Sequence, residues 1–235
     1  MRDFSPSGSA EQELERPISE AEETVAFLLS LRAKGIRDTR LLRAMEMVPR
    51  DLFAPRRFSD LARADVSLPL PCGQTMTAPA VIATMLLALG VEDHHRILEV
   101  GTGSGYVTAV LAHLGAGVVS VKRFRTLAMA AAERVAGLGL QSVRIIAGDG
   151  LLADSGQVGA DGPYDRILLN GALASFPPPT LTSALAAGGR LVGARIAGGE
   201  LKLMRIERGP DGSLNEELGG LLRLPPLAAG IAKAL

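Results

Sequence analysis

The residues best suited to chemistry form one run, Arg96-Ile97-Leu98-Glu99-Val100-Gly101-Thr102-Gly103-Ser104-Gly105-Tyr106. It reads as a short apolar strand carrying an acid near its end, then a glycine-rich turn, then a helix start. Glycines at 101, 103 and 105 let the backbone turn tightly and approach a ligand closely. The helix that follows would offer unpaired N–H groups and the positive end of its dipole. Two cofactor classes use such a turn. Dinucleotide sites favour G-x-G-x-x-G with a pyrophosphate over the helix start. Here the spacing is G-x-G-x-G, Tyr106 and Val107 occupy the region of the missing third glycine, and Glu99 would sit badly beside a pyrophosphate. An acid suits a cationic amino group instead, and S-adenosylmethionine carries one together with its sulfonium. The turn therefore favours S-adenosylmethionine over a dinucleotide or over an αβ turn without a ligand.

The surrounding pattern supplies the elements that must position this turn. Ser19-Glu20-Ala21-Glu22 has capping-box form and opens a helix through Val25, Phe27, Leu28 and Leu31 to a stop at Gly35. Asp38 caps a second helix with Leu41, Leu42 and Met45, ended by Pro49. The proline-punctuated stretches 48–55 and 67–79 are expected to be irregular, extended or turned. Thr77 is expected as N-cap of a helix with Pro79 in its first turn. Strands are expected at 96–100, 118–122, 143–147, 165–169, 189–196 and 201–207, with a further one at 221–224. Helices are expected at 105–114, 126–136 and 180–186. Strands alternating with helices predict an α/β fold with a doubly wound, Rossmann-like, mostly parallel sheet. Gly198-Gly199 predicts a late hairpin that adds an antiparallel strand. In such a sheet the ligand lies at the carboxyl ends of the strands, which places Glu99, Gly101, Lys122, Asp149 and Asn170 around the pocket.

The chain has 235 residues, enough for one such domain with an appendage. Residues 1–18 are expected to be a flexible tail, 19–66 a helical subdomain packed on the core, and 67–235 the cofactor-binding domain. Lys plus Arg and Asp plus Glu both number 25, so net charge gives no pull toward nucleic acid or a membrane. The single cysteine, Cys72, excludes an internal disulfide framework and suits a reducing, cytoplasmic setting. No apolar run reaches the roughly 18 residues of a bilayer span, and 1–16 lacks the apolar stretch of a signal peptide. No Cys/His/Asp spacing suggests a metal site; His94 and His95 are expected in a solvated loop. The sequence assigns no oligomeric state.

Several of these segments together resemble the protein-L-isoaspartate O-methyltransferases. The matching runs are Val48-Pro49-Arg50-Asp51-Leu52-Phe53, Leu68-Pro69-Leu70-Pro71-Cys72-Gly73-Gln74-Thr75-Met76-Thr77-Ala78-Pro79, the glycine turn, Gly148-Asp149-Gly150 and Pro163-Tyr164-Asp165. The glycine turn alone is common to many methyltransferases; Gln74-Thr75-x-Thr77 is far more specific to this family. The resemblance implies methyl transfer from S-adenosylmethionine to the free side carboxylate of L-isoaspartyl residues in damaged proteins or peptides, a repair reaction. It assigns Gly101, Thr102, Gly103, Ser104 and Gly105 to the loop under the cofactor's amino acid portion and Glu99 to the acid before it. Asp149 and Gly150 fall on the adenine side, and Thr75 and Thr77 beside the methyl group, where the family usually has Ser at the second position. A carboxylate nucleophile is already ionised at neutral pH, so the site needs alignment and desolvation rather than a strong base.

Three positions depart from the family pattern. Lys122 ends the second strand, where the family carries an acid whose oxygens hold the ribose hydroxyls. Lysine has three donors and no acceptor, and Lys122, Arg123 and Arg125 make the region basic. Asn170-Gly171-Ala172-Leu173 replaces a Thr-Ala-Ala-like run, and Glu200 stands where a Gln usually opens the sixth strand. Glu200 is a candidate ion partner for Lys122. These departures motivate two alternatives: a degenerate member that binds the cofactor weakly and acts as an interaction module, and a methyltransferase for a different carboxylate. A third, an NADP enzyme with Lys122 on the 2′-phosphate, lacks its third glycine.

Overall fold

Ser19 starts the first helix, α1 (Glu20–Ala33), with both halves of a capping box: Glu22 N–H donates to the Ser19 hydroxyl at 3.3 Å, and Ser19 N–H donates to the Glu22 carboxylate at 2.8 Å. Gly35, at φ +87°, turns the chain away, and Ile36 N–H returns to Leu31 C=O at 3.1 Å. Asp38 caps α2 (Thr39–Met47) by accepting from Leu41 N–H at 2.7 Å. The computed structural model describes residues 19–151, 161–230 and 232; the expected tail at 1–18 lies outside them.

Two short 3-10 turns, Arg50–Leu52 and Arg56–Leu61, lead to a hairpin that sequence pattern alone left irregular. It pairs β1 (Leu68–Leu70) with β2 (Gln74–Met76), and Cys72 and Gly73 both take φ +62° at its turn. Helix α3 (Pro79–Leu89) then begins one residue later than expected. Its N-cap is Ala78, without a side-chain cap, because Pro79 occupies the first turn and needs no N–H partner. Thr77 is therefore not the cap; it is buried just outside the helix.

The main sheet takes β3 (Arg96–Val100), β4 (Gly117–Lys122), β5 (Val143–Ala147), β6 (Tyr164–Leu173), β7 (Leu185–Ala197), β8 (Glu200–Arg208) and β9 (Leu214–Leu221) in the order β5-β4-β3-β6-β7-β8-β9. Helices α4 (Tyr106–Ala112), α5 (Arg125–Gly137) and α6 (Pro179–Ser183) fill the crossovers. The five strands β3 to β7 are mutually parallel, and β8 alone runs against its neighbours β7 and β9. Reversal of strand order between β3 and β6 opens the crevice expected of a doubly wound sheet.

Alternate strand residues face opposite layers. Ile97 and Leu168 pack with α1 to α4, whereas Leu98, Val100, Ile167 and Leu169 pack with Leu181, Leu191 and Met204. Two expectations change at the periphery. The last strand lies at 214–221 rather than 221–224, because cross-strand ion pairs, Arg195 to Glu216 at 2.5 and 2.6 Å and Arg205 to Glu217, hold a polar, exposed β9 that has little apolar pattern to read. His95 is buried rather than solvated: its Nδ1 accepts from Glu92 N–H at 2.8 Å, and burial pushes its pKa below the usual histidine value.

Candidate functional site

Parallel strands deliver their carboxyl ends to one edge, where Gly101, Lys122, Asp149 and Gly150 line a common space and Glu99 and Thr102 join through Ser120. Gly101, Gly103 and Gly105 take φ +105°, +58° and +95°, the left-handed region that side chains resist. Gly101 N–H is anchored on Val121 C=O at 2.9 Å, tying the loop to the end of β4. A Cβ on Gly105 would lie 3.1 Å from that of Ala131, so this glycine also lets α5 pack close. The helix behind the loop is shorter than expected, seven residues from Tyr106 to Ala112.

Glu99 is fully buried on β3, facing a set of hydroxyls. Ser120, its register partner on β4, donates to Glu99 Oε2 at 2.6 Å; Thr108 on α4 donates to the same oxygen. Thr102 Oγ1 lies 2.6 Å from Ser120 Oγ and extends the network to the glycine loop. Burial pushes the Glu99 carboxyl above the usual range, and the hydrogen bonds from Ser120 and Thr108 and the charge of Lys122 pull it back. Its Oε1, like Oδ1 of Asn170, is buried with no well-formed hydrogen bond, and the nearby Asn170 side chain helps to hold the Glu99 carboxyl down. The Asn170 amide donates to Gly101 C=O at 3.2 Å, so the altered run, which forms the end of β6, braces the loop from its other side.

Lys122 ends β4, 6% exposed, with its ammonium 2.8 Å from Gln74 Oε1. Burial lowers its pKa to about 8, opposed by the nearby Glu99. Its ammonium also lies 5.5 Å from the centre of the Phe124 ring. Glu200 is not its partner: it pairs with Lys202 at 3.5 Å at the start of β8, four strands away from β4. Asp149 is buried after β5, accepting from Leu151 N–H at 2.9 Å and from Gly230 N–H. Gly150 presses on β3; a Cβ there would fall 2.8 Å from Val100 Cγ1.

The β1–β2 hairpin reaches this edge through Gln74, with Thr75 next to it on β2 and Thr77 just past the strand. Arg50 fixes the segment: its buried guanidinium donates to the carbonyls of Ala62, Val66 at 3.1 Å and Thr77 at 3.0 Å, and lies 5.9 Å from the Tyr106 ring centre. The sequence assigns no role to Gln74, Ser120, Thr108, Arg50 or the segment 225–230, although all of them border or hold these groups. A lone polar residue inside the apolar run Val118-Val119-Ser120-Val121 was the one legible signal for Ser120.

Between these residues lies a cavity of about 50 Å³ lined by Gln74, Val100, Lys122, Asp149, Gly150 and Leu227, among others. A cavity of about 630 Å³ lies away from the strand ends beside α1 and the 3-10 turns. Arg63 there spends its guanidinium on Glu20, Glu23 and Asp51. Glu92, His94 and His95 bring ligand atoms within 4.8 Å of one another before the start of β3, but His95 Nδ1 is already committed to the Glu92 backbone.

The chain matches the family model "Protein-L-isoaspartate(D-aspartate) O-methyltransferase (PCMT)" over residues 22–226. It is 42% identical over 219 residues to the protein-L-isoaspartate O-methyltransferase of Azorhizobium caulinodans, covering 92% of this chain and 99% of the relative. It is 43% identical to that of Xanthobacter autotrophicus, covering 92% and 96%. Its fold is similar to a Plasmodium falciparum protein of the same description, solved in complex with S-adenosyl-L-homocysteine, at TM-score 0.75 and 20% identity over 86% of this chain and 97% of that one. With a family model covering most of its length and relatives above 40% identity, the chain belongs to the protein-L-isoaspartate O-methyltransferase family.

Proposed function

We infer that this protein transfers the methyl group of S-adenosylmethionine to the free side carboxylate of L-isoaspartyl residues in damaged proteins or peptides. The observation that carries this reading is family membership over nearly the whole chain; the glycine loop, the Glu99 network and the Gln74–Lys122 contact at the strand ends support it. The residues suit the cofactor at its two ends. The left-handed glycines expose loop backbone, Glu99 supplies a buried carboxyl with an unmatched oxygen, and Asp149 offers acceptors on the adenine side. The middle fits less well, because Lys122 stands at the ribose position with a donor where the hydroxyls need an acceptor.

The bound cofactor would supply an electrophilic methyl on sulfur. A side carboxylate, already ionised at neutral pH, would take that methyl as an ester without a base having to remove a proton. What falls to this chain is alignment and exclusion of water. We assign Thr77 and Thr75 to orient the carboxylate, with Arg50 holding Thr77 in place through its carbonyl. Glu99, Gly101, Thr102, Gly103, Ser104 and Gly105 hold the amino acid end, Asp149 and Gly150 the adenine end, and Lys122 meets the ribose. Among the described residues no helix is long and apolar enough to cross a membrane, and the lone free Cys72 supports a cytoplasmic site of action.

Incubation with methyl-labelled S-adenosylmethionine and an isoaspartyl peptide is expected to give a base-labile methyl ester. Tight S-adenosylhomocysteine binding without ester on any isoaspartyl peptide would favour another carboxylate substrate.

A further inference from the structure

The sheet leaves its last strand on the same edge as the site, because β9 runs parallel to β3 through β7. From there the chain travels back across the carboxyl ends of the parallel strands. Leu222 N–H bonds Leu201 C=O at 3.0 Å. Ala172 N–H then bonds Pro225 C=O, and Leu227 N–H bonds Ala172 C=O, both at 2.8 Å, forming an isolated parallel bridge on β6. Leu227 covers the glycine loop: its side chain lies within 3.5 Å of where a Gly101 Cβ would stand and 2.6 Å from one on Gly171. Arg123, just past β4, donates to Ala228 C=O at 3.3 Å. Gly230 N–H reaches Asp149, past β5, and Ala232 N–H bonds Arg123 C=O at 3.3 Å. The segment thus crosses β6, β3, β4 and β5 in the order in which they lie side by side.

This crossing occupies the cofactor cleft. Only about 50 Å³ remains beneath it, lined in part by Pro226, Leu227 and Ala228, whereas sites for ligands of this size are roughly 300–1,000 Å³. The carboxylate assigned to adenine is engaged by a backbone donor of the protein itself. Gly230 makes that contact at φ +90°, which a side chain would resist. The hold is also light. Pro226, Ala228 and Ala229 are exposed, Leu227 and Gly230 are only half-buried, and the attachments are mostly single backbone hydrogen bonds.

We propose that residues 225–230 form an intramolecular strap in which the Gly230 N–H on Asp149 takes the place of the cofactor's adenine donor, so that S-adenosylmethionine binds only when the strap withdraws. The proposal rests on the cofactor reading above. Apparent affinity is then reduced by the fraction of molecules with the strap open. Cofactor binding and strap closure exclude each other, and a partner that captured the strap would activate the enzyme.

The test compares S-adenosylhomocysteine binding, by calorimetry and stopped-flow association, in three proteins. They are the full chain, Gly230→Pro, which removes the donor and cannot adopt φ +90°, and a chain ending at Leu227. Both altered proteins are expected to bind about tenfold tighter, as for a strap closed in roughly nine molecules of ten, and to associate faster. In the full chain, amide exchange at Leu227, Gly230 and Ala232, the strap's bonded donors, should rise when S-adenosylhomocysteine is added. Unchanged or weaker binding in both altered proteins, or exchange that falls on ligand addition, overturns the strap while leaving the cofactor reading intact. Absence of binding in all three proteins overturns the cofactor reading and the strap with it.

Discussion

Lys122→Glu restores an acceptor where a ribose diol would present two donors, and it should tighten S-adenosylhomocysteine binding. In the wild type the ammonium is buried, 2.8 Å from Gln74 Oε1, and has no lone pair for a hydroxyl while protonated. A carboxylate at this strand end could accept from both hydroxyls, and hydrogen bonds to charged groups contribute about 1.5–3 kcal/mol each. Taking the lower figure for two bonds gives about 3 kcal/mol. Subtracting about 1 kcal/mol for the new like-charge pair with Glu99 leaves about 2 kcal/mol, roughly thirtyfold in Kd. Calorimetric titration of both proteins at pH 7 measures this directly. Equal or weaker binding in Lys122→Glu would refute the placement of the ribose at the end of β4.

Other perturbations follow from the same geometry. Lys122 has a folded pKa near 8, below the ordinary value of 10.5, so the unfolded chain holds more protons between those values and stability rises with pH across that window. Lys122→Met should therefore raise Tm at pH 7, with the advantage shrinking toward pH 10 in thermal scans. Arg50→Met strands the buried carbonyls of Ala62 and Thr77 and frees the more exposed one of Val66 to water; denaturant unfolding should show a loss of about 2 kcal/mol or more, at about 1–3 kcal/mol per buried unmatched group. Gly101→Ala forces φ +105° on a side chain and sets a Cβ 3.1 Å from Asn170 C=O, which should cost about 1–3 kcal/mol and weaken cofactor binding in the same titration. Glu99→Gln keeps the hydroxyl contacts through its amide oxygen but loses the charge facing a cationic amino group. Its S-adenosylhomocysteine affinity should fall about tenfold or more, with Tm nearly unchanged.

The parallel sheet is legible because β3 and β4 centre on short apolar runs beside glycines, and buried strands write themselves as hydrophobic segments. The Gly101–Gly105 loop was legible for a related reason: three left-handed φ values demand three glycines. The β1–β2 hairpin was hidden because prolines at 69 and 71 mask a three-residue ladder, and Cys72 takes a positive φ that its residue type does not announce. β9 is hidden in the sequence because ion pairs to Arg195 on β7 and Arg205 on β8, rather than an apolar face, help to hold it. Lys122 was recognised as the discordant residue, but its partner Gln74 lies 48 positions earlier and is set by tertiary packing. The strap is carried by backbone hydrogen bonds from Leu227, Gly230 and Ala232, a device that small side chains do not record in sequence.

The central claim is tested most directly by a pair of peptides identical except that one carries an isoaspartyl and the other an ordinary aspartyl linkage, each incubated with the protein and methyl-labelled S-adenosylmethionine. The account predicts base-labile methyl ester on the isoaspartyl peptide and background on its twin. Equal labelling of both peptides, or none on either from wild type and Lys122→Glu alike, would contradict it.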